Sequence, residues 1–443
     1  ASGATAAAHA ATSVLAPAEA ALERSRGAAA LVRVEACARA TADDQRVKDV
    51  RALRLRMPPG VEWRAGDALE VYPEPPPGTA EELLRRCGVP ADGAVRIQAN
   101  DADGCGVSAK SPRDAVCVRA LELVSAFLDI AGATPSRACL AALAESCADE
   151  SERARLAHFA SREGADDLQL YARSDDRTLM EVLDDFPSAS PQLAAMLEHA
   201  PRLRPRPMSV ANAFDPGTAR PGEGALLELI VAPAEWQTPR GRARVGLCTR
   251  YLRRLQAGAQ ARVRLRAGDM RPPADPRAPL VLVGPGTGVA PLRAMLLERA
   301  AARRAGVPVG RVALFVGCRH KGLDDLYAAE WEALSRDGDI SLLAWAYSRD
   351  EPDADAQGAR AEGAETAPAR PMGGTPAPKY VQHALRAHAS EVRALAAEGA
   401  HFYVVGAAER MPDDVQAALD AVVGKGFVAR AQAEGRYHVE AWS

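Results

Sequence analysis

The sequence contains few of the residue patterns that build metal sites or disulfide frameworks. Its eight cysteines form no CxxC pair, and its histidines are not clustered at the spacing of metal ligands. These absences argue against a metal site and against a set of stabilising disulfides. A reducing compartment, the cytoplasm, is therefore the expected location.

Long apolar runs are also missing, so the sequence predicts no membrane-spanning helix. The first residues do not show a charged segment followed by an apolar one, as a secretory signal would. Residues 1–27 are predicted to be a linker that follows another domain. The formal net charge of −3 gives no reason to expect general affinity for nucleic acid or membranes.

The chain of 443 residues is long enough for two or three domains. Alternating apolar and polar residues predict strands in 28–78 and again in 201–270. Between them, residues 79–200 carry amphipathic helical patterns. Short apolar strands alternate with helices over 271–443, which predicts a doubly wound parallel α/β domain. Residues 351–377, rich in Ala, Gly and Pro, are predicted to be a disordered insertion.

A glycine-rich corner follows the predicted strand Leu280–Val283. Gly284, Gly286 and Gly288 let the backbone turn sharply and approach a ligand closely. The helix that begins there would offer free N–H groups to an anion, and Thr287 could add a hydroxyl donor. A diphosphate fits this pattern. The alternative is a plain strand-to-helix turn, since the GxGxxG fingerprint is not present.

Two further strand ends carry arginine. Cys318-Arg319 ends the second strand of the α/β region, and Ser348-Arg349 ends the third. Ligands of open parallel sheets bind at the carboxyl ends of strands, and an arginine fork suits a phosphate. With Lys379 and Tyr380, the Ser348-Arg349 pair predicts recognition of a 2′-phosphate, and the whole set of residues favours NADPH over NADH. The alternative for any one of them is a solvated arginine.

A second anion site is predicted upstream. Arg206, Met208 and Ser209 lie on one strand, and Gly246 stands at a turn before a helix, with Thr249 as a capping hydroxyl. Each piece alone has a structural alternative. Trp442, one residue from the end, offers a flat aromatic face that could cover a flavin ring. Its alternative is a terminal side chain that fills a core.

Several of these segments occur in the order and spacing of one known family. The segments are RPMS, GLCT, GPGTGVAP, GCR, YSRD, KYVQHAL and RYHVEAWS, and in the helical region LVSAFLDIAG and RTLMEVLDDFPS. They resemble the ferredoxin–NADP reductase-like half of the diflavin reductases over nearly the whole chain. EWEALSRDGDISLLAWAYSRD and FYVVGAAERMPDDVQ are most similar to the branch that serves cytosolic iron–sulfur cluster assembly. NADPH–cytochrome reductases carry a cysteine where this chain has Val405.

The resemblance implies an α+β multidomain fold. An antiparallel β-barrel FAD-binding domain would comprise 28–78 and 201–270, with 79–200 as the helical connecting insert and 271–443 as the NADPH-binding domain. The implied cofactor-binding residues are Arg206, Pro207, Met208, Ser209, Gly246, Leu247, Cys248, Thr249, Gly284, Gly286, Thr287, Gly288, Cys318, Arg319, Ser348, Arg349, Lys379, Tyr380, Gln382, Asp414 and Trp442. The implied catalytic residues are Ser209, near flavin N5, Glu440, beside the hydride path, and Trp442, on the isoalloxazine.

Some positions depart from the family pattern. Met208 stands where the family has Tyr or Phe, and Asn212-Ala213 replaces a Ser-Ser pair. The family lysine lies two residues before the tyrosine, whereas here Pro378 holds that place and Lys379 follows it. A family arginine that contacts FAD falls on Asp176, with Arg177 beside it. These departures concern the grip on FAD and on the 2′-phosphate.

The expected reaction is hydride transfer from NADPH to FAD, with electrons passing on to an FMN domain that would precede residue 1. The resemblance further implies an anamorsin-type iron–sulfur protein as acceptor, and no metal site in this chain. Two alternatives stay open. The chain could be the reductase half of an NADPH–cytochrome or sulfite reductase flavoprotein, or a degenerate fold retained as a non-catalytic scaffold.

Overall fold

A computed structural model describes residues 29–97, 116–350, 378–408 and 410–442. The predicted linker (1–27) and the predicted disordered insertion (351–377) lie outside these residues. The described chain forms two compact units. The first contains residues 29–33, Leu69–Pro207 and Pro233–Leu265, and the second contains Val34–Ala68, Met208–Ala232 and Arg266–Ser443.

The structure contains strands and helices in all the predicted regions of the described chain. The strands are β1 (Ala30–Arg39), β2 (Arg51–Arg56), β3 (Ala68–Tyr72), β4 (Ala94–Ile97), β5 (Val116–Arg119), β6 (Arg206–Ser209), β7 (Leu226–Val231), β8 (Glu235–Gln237), β9 (Ala243–Val245), β10 (Gln260–Arg266), β11 (Leu280–Pro285), β12 (Val312–Cys318), β13 (Leu342–Tyr347), β14 (His401–Ala407) and β15 (Tyr437–Trp442). The helices are α1 (Thr79–Arg86), α2 (Ala120–Phe127), α3 (Arg137–Glu145), α4 (Glu150–Ala160), α5 (Ala165–Leu168), α6 (Leu179–Asp185), α7 (Leu193–His199), α8 (Leu247–Arg254), α9 (Val289–Arg304), α10 (Ala328–Arg336), α11 (Val381–Ala387), α12 (Ala389–Ala397), α13 (Met411–Val423) and α14 (Phe427–Ala433).

The helices of the first unit pack around one apolar core. Leu83, Val124, Leu140, Leu156 and Leu183 come from five different helices and are fully buried in it. Some of these helices begin with a side-chain cap. The hydroxyl of Ser136 accepts the Cys139 amide, and Thr178 with Glu181 forms a capping box at the start of α6.

The expectation that 79–200 is purely helical is wrong at one place. Strands β4 and β5 pair in antiparallel fashion, with Val95 opposite Val118. Their valine-rich sequences favour an extended backbone. Each strand has only four residues, which is too short for alternation to reveal it.

Antiparallel strands occur in both units, as predicted. In the first, β1 pairs with β10, with Ala30 opposite Val263. In the second, β2 pairs with β7, with Arg51 opposite Val231. The antiparallel sheet is therefore confirmed, and its closure into a barrel stays a prediction.

The second unit contains the predicted parallel sheet, with five strands in the order β13-β12-β11-β14-β15. Leu280 and Leu282 of β11 enter one apolar cluster, whereas Val281 and Val283 enter another. Because neighbouring side chains of a strand point to opposite faces, both faces of the sheet are covered. β11 lies between β12 and β14, and the strand order reverses there. In such sheets, ligands bind at the carboxyl ends of the strands beside that point.

The predicted boundaries of the FAD-binding, connecting and NADPH-binding domains stay predictions. In the part of the chain that the structure describes, every helix is too short or too polar to cross a bilayer.

Candidate functional site

The glycine corner lies at the carboxyl end of β11. The strand continues two residues beyond the predicted end at Val283, because Gly284 and Pro285 still pair with Val316 and Gly317 of β12. A single turn, Gly286–Gly288, then leads into α9.

Each glycine of this corner is needed for a different reason. A Cβ atom on Gly288 would lie 2.1 Å from the carbonyl oxygen of Val405, so only glycine allows the corner to pack on β14. A Cβ on Gly284 would lie 2.7 Å from Leu292 Cδ1. Gly286 has a φ of +57°, and its Cα faces open space. The backbone at Gly286 therefore faces open space that a ligand could occupy.

The open end of this helical segment is the glycine turn itself, because the amide of Val289, the first residue of α9, already donates to the carbonyl of Gly286. No side chain caps this helix, whose N-cap residue is Gly288. The unsatisfied N–H groups and the positive end of the helix dipole both favour a negative charge. Pro291 lies in the first turn, as predicted, where a missing N–H costs nothing.

A cavity of about 900 Å³ opens in front of this turn, within the second unit. Sites for small molecules and cofactors typically measure roughly 300–1,000 Å³. Ten residues predicted from the sequence line the cavity: Gly286, Thr287, Cys318, Arg319, Ser348, Lys379, Tyr380, Gln382, Asp414 and Trp442. Gly284, Gly288 and Arg349 do not line it, and the two glycines act through packing instead.

The ends of β12 and β13 are tied together beside the cavity. The amide of Ser348 donates to the carbonyl of Cys318, and the amide of Arg349 donates to the carbonyl of Arg319, each at 2.9 Å. Two arginines and a serine hydroxyl therefore stand next to each other at the edge of the sheet. Burial raises the pKa of the Cys318 thiol well above its usual value, so this side chain is neutral.

A second group of side chains faces the cavity from α11 and α13. Tyr380 is exposed, and the Lys379 ammonium lies 5.8 Å from the centre of its ring. Gln382 Nε2 donates to Asp414 Oδ2 at 3.3 Å. The group offers an aromatic face, a cation and an amide, which suit a base, a phosphate and a ribose respectively.

Three cationic residues of the cavity were missed by the sequence analysis: Lys48, Arg386 and Arg410. Arg386 lies one helical turn beyond Gln382, so the helical period could have indicated it. Lys48 belongs to the segment between β1 and β2, far from every glycine or arginine motif. No local pattern in the sequence marks it.

The three predicted catalytic residues belong to the second unit, and two of them share a hydrogen bond. Ser209 Oγ donates to Glu440 Oε1 at 2.9 Å. Glu440 and Trp442 belong to β15, where they lie opposite Val405 and Ala407 of β14. Trp442 is 37% exposed and lines the cavity, so it does not fill a core. Met208 is half-buried beside Ser209 in β6.

The strand that carries Ser209 is held by a buried cluster of charges. Arg293 of α9 donates to the carbonyl of Ala211 at 2.8 Å and lies 3.3 Å from Glu228. Tyr327 donates its hydroxyl to the same Glu228 at 2.6 Å. These contacts fix the backbone two residues beyond Ser209.

The second predicted anion site lies in the first unit. Helix α8 begins after Gly246 without a side-chain cap, and Leu247 and Cys248 are buried in its first turn. Burial raises the pKa of Cys248 to about 12, and the nearby charge of Arg206 opposes this shift. Pro207, next to Arg206, is exposed. Arg206 therefore brings a positive charge close to an uncapped helix start.

The predicted role of Thr249 as a cap is wrong. Thr249 is the third residue of α8, and its hydroxyl accepts the amide of Ala234 at 3.1 Å. An N-cap residue stands just before the first helical residue, and here that residue is Gly246. The helix start is consequently left open.

Arg206 keeps donors available to a ligand. Its Nη2 lies 4.0 Å from Asp129 Oδ2, and its Nη1 donates to the carbonyl of Arg204 at 2.7 Å. The side chain is 46% exposed. Burial raises the pKa of Asp129, while the amide of Gly132 and the charge of Arg206 act in the opposite direction. The Arg206 guanidinium and the open start of α8 fit a diphosphate group.

The two residues at the departing family position are engaged elsewhere. Asp176, with a φ of +47°, accepts the indole N–H of Trp236 at 2.8 Å. Arg177 pairs with Asp185 and lies over the ring of Tyr171, 4.7 Å from its centre. Arg177 therefore makes structural contacts, and its guanidinium is not free to replace the family arginine.

Two domain families match this chain. The family described as "FAD binding domain" matches residues 53–251, and the family "Oxidoreductase NAD-binding domain" matches residues 282–362. FAD and a nicotinamide dinucleotide are thus the cofactors of the matched families, as the sequence analysis expected. The second match contains the glycine corner and both arginine-bearing strand ends.

Full-length relatives extend the likeness to most of the chain. It is 30% identical over 416 residues to NADPH-dependent diflavin oxidoreductase 1 of Arabidopsis thaliana, covering 89% of this chain and 62% of that protein. The protein of the same name from Bos taurus is 31% identical over 414 residues, and the alignment again covers 89% of this chain and 62% of that protein. NADPH–cytochrome P450 reductase of Drosophila melanogaster is 29% identical, covering 86% of this chain and 53% of the relative. The chain thus spans about 62% of the first two relatives.

Proposed function

We propose that this chain is the NADPH-oxidising part of a diflavin oxidoreductase, because an FAD-binding and an NAD-binding oxidoreductase domain family match it and because it is similar to the diflavin oxidoreductases. It would take electrons from NADPH onto FAD and pass them to an FMN domain. The observation that carries this proposal is a cavity whose lining includes the glycine turn, Arg319, Ser348 and Trp442.

The lining of the cavity suits NADPH from one end to the other. The turn at Gly286 and the uncapped start of α9 would hold the diphosphate. Ser348 and Arg319, with Arg349 and Lys379 nearby, would bind the 2′-phosphate. Tyr380 and Gln382 would contact the adenosine part, and Asp414 and Trp442 would lie toward the nicotinamide.

A different set of residues is proposed to bind FAD. Arg206 and the turn from Gly246 to Thr249 would bind its diphosphate, and Met208 would cover a face of its ring. Bound FAD would supply the conversion between two-electron and one-electron transfer. The protein's contribution is to position the two cofactors and to exclude water.

Ser209 and Glu440 are proposed to act together beside the flavin. The Oε1 atom of Glu440 accepts the Ser209 hydroxyl hydrogen, and this fixes the orientation of the Ser209 Oγ atom. A fixed hydroxyl can hold a hydrogen bond that develops during the reaction, which a rotating one does less well. Both are proposed as catalytic residues.

Electrons would then leave through an FMN domain and reach an anamorsin-type iron–sulfur protein in the cytoplasm. This part of the proposal is supported by the likeness to the diflavin oxidoreductases and by the incomplete coverage of their length. The likeness to a cytochrome P450 reductase supports a second candidate, in which a cytochrome takes the electrons. Reconstitution with an FMN domain distinguishes the two, because only one acceptor would be reduced rapidly.

A non-catalytic scaffold is the third candidate, and Met208 and the position of Lys379 motivate it. The test begins with residues 1–443 expressed alone. A yellow protein that contains FAD and reduces ferricyanide faster with NADPH than with NADH supports the reductase. A folded, colourless and inactive protein supports the scaffold. Equal rates with the two nucleotides would contradict the 2′-phosphate site.

A further inference from the structure

Two turns at the carboxyl end of the parallel sheet are joined by a histidine and an aspartate to which no role has been assigned so far. His320 follows Arg319 after β12, and Asp350 follows Arg349 after β13. His320 Nδ1 lies 2.8 Å from Asp350 Oδ1, within hydrogen-bond distance. The pair thus connects the residues that directly follow the two arginines.

Both oxygens of Asp350 are engaged in this connection. Its Oδ2 accepts the backbone amide of Lys321 at 2.9 Å. The His320 side chain is only 13% exposed. Burial acts to raise the pKa of Asp350, but the Lys321 amide and His320 outweigh it and hold that pKa below its usual value. The carboxylate is therefore ionised near neutral pH and held in one orientation.

The turn after β12 is fixed on its other side as well. The carboxylate of Asp324 accepts the amides of Arg319 at 3.1 Å and His320 at 2.7 Å. Since the amide of Arg349 donates to the carbonyl of Arg319, the position of one arginine depends on the other. The backbone hydrogen bond joins the two turns at the arginines, and the His320–Asp350 pair joins them again one residue further along each turn.

The segment between β1 and β2 completes the surroundings of the pair. Ala42 donates its amide to the carbonyl of Leu323 at 2.7 Å. Asp44 forms a two-pronged ion pair with Arg46, and the shortest of its contacts is 2.8 Å. The positive charge of Arg46 helps to lower the pKa of Asp350, and His320 acts in the same direction on the pKa of Asp44. Charged groups of this segment thus lie close to the pair.

An aspartate next to an arginine that binds phosphate is a competitor for that arginine. If its carboxylate were free to turn, it could pair with the guanidinium of Arg349 and repel an incoming phosphate. Held by His320 and by the Lys321 amide, it instead fixes the turn. In this arrangement the Asp350 carboxylate stabilises the turn and does not compete with the phosphate for Arg349.

We propose that His320 and Asp350 are positioning residues for recognition of the 2′-phosphate of NADPH. They keep Arg319, Ser348 and Arg349 in a binding arrangement and keep the Asp350 carboxylate away from the arginines. This inference rests on the proposed function, in which the 2′-phosphate binds at those three residues.

The test measures binding of 2′,5′-ADP and of 5′-AMP to residues 1–443 by calorimetry. These probes share the adenosine and differ in the 2′-phosphate. His320→Ala is expected to weaken 2′,5′-ADP binding about three- to tenfold, as for loss of a coupled contact, and to change 5′-AMP binding less than about twofold. His320→Asn is expected to restore most of the loss, because its amide can donate from near the Nδ1 position.

Asp350→Asn distinguishes positioning from simple charge. Removal of a negative charge near a phosphate would by itself tighten binding, whereas loss of the support weakens it. We expect weaker binding of 2′,5′-ADP. In the double variant His320→Ala/Asp350→Asn, the loss should not exceed that of His320→Ala, because no freed carboxylate remains to compete.

His158→Ala is the matched control. His158 forms a comparable contact with Asp167, also 2.8 Å, on α4 in the first unit. It should leave binding of both probes unchanged. Unchanged 2′,5′-ADP binding in His320→Ala, equal losses for both probes, or tighter binding in Asp350→Asn would overturn the inference. If the unmodified protein binds 2′,5′-ADP no more tightly than 5′-AMP, the proposed function itself fails.

Discussion

At the scale of single residues, the glycines of the corner show how much one missing side chain can decide. Gly288 allows close packing on Val405, whereas Gly286 allows a left-handed backbone that faces the cavity. The sequence indicated that both were special, since an apolar strand ended in three glycines. It did not indicate which glycine served packing and which served the ligand.

Replacing Gly286 with Ala is expected to affect stability and nucleotide binding together. The left-handed conformation costs a non-glycine residue about 1–2 kcal/mol, and the added methyl group would stand in the cavity. Thermal unfolding and the KM for NADPH measure the two effects. Gly306→Ala is the control, since Gly306 has a φ of +83° and open space around it at the far end of α9.

Gly306→Ala should lose similar stability and keep the KM for NADPH. A similar increase in KM in both variants would show that the effect comes from the helix and not from the turn. Gly288→Ala should be worse than either, because its Cβ would lie 2.1 Å from a backbone oxygen. Overpacking of this kind typically costs about 1–3 kcal/mol.

Ser209 and Glu440 give a second prediction at this scale. Ser209→Ala removes the hydroxyl that Glu440 orients and should lower the kcat for NADPH-dependent ferricyanide reduction roughly 10–100-fold, with little change in KM. Ser341→Ala removes a hydroxyl at the start of β13, whose bond to the Val312 carbonyl is 2.7 Å, and serves as the control. A normal kcat in Ser209→Ala would exclude a catalytic role.

At the scale of helices and strands, hydrophobic periodicity predicted the long elements and missed the shortest pair of strands. The strand that begins at Leu280 and the helix that begins at Val289 were expected because their apolar patterns are strong. The β4–β5 pair was missed because four residues carry too little pattern. Thr249 was assigned as a cap because the sequence does not show that α8 starts at Leu247.

The first residues of β14 and the start of β15 give a prediction about pH. The rings of His401 and His438 are stacked 5.9 Å apart, and Tyr403 stacks on His438 at 4.5 Å. Burial lowers the pKa of His438 and, with the charges of His438 and Arg436, that of His401. Both histidines are therefore harder to protonate in the folded protein than in the unfolded chain.

The sign of the effect follows from this difference. As pH falls through the unfolded pKa near 6.5, the unfolded chain takes up protons that the folded protein does not, so the stability falls. Denaturant unfolding between pH 7.5 and about 5.5 should show this loss. His438→Phe keeps the stacking and should flatten the dependence, whereas His158→Phe should not. An unchanged slope in His438→Phe would contradict the account.

At the scale of the whole molecule, the order of segments was predictable and the full lining of the cavity was not. Residues that are adjacent in the sequence, such as Cys318 and Arg319, can be recognised as motifs without a structure. Lys48 reaches the same cavity from a distant part of the chain, and only folding brings it there. The family resemblance supplied the cofactors, and the contact between His320 and Asp350 required the structure.

The chain spans 62% of the length of its Arabidopsis thaliana relative, and the proposed delivery of electrons to an acceptor needs an FMN domain besides this chain. A separately produced FMN domain, joined to residue 1, should make an acceptor such as cytochrome c or an iron–sulfur protein reducible by NADPH. The chain alone should reduce ferricyanide and only slowly reduce those proteins. Rapid reduction by the chain alone would remove the need for a second flavin.

Anaerobic titration of the purified, FAD-containing chain tests the central claim most directly. One equivalent of NADPH should bleach the flavin absorbance, and NADH at the same concentration should do so at least about tenfold more slowly, as loss of one charge-assisted phosphate contact implies. A flavin that neither nucleotide reduces, or that both reduce at the same rate, would contradict it.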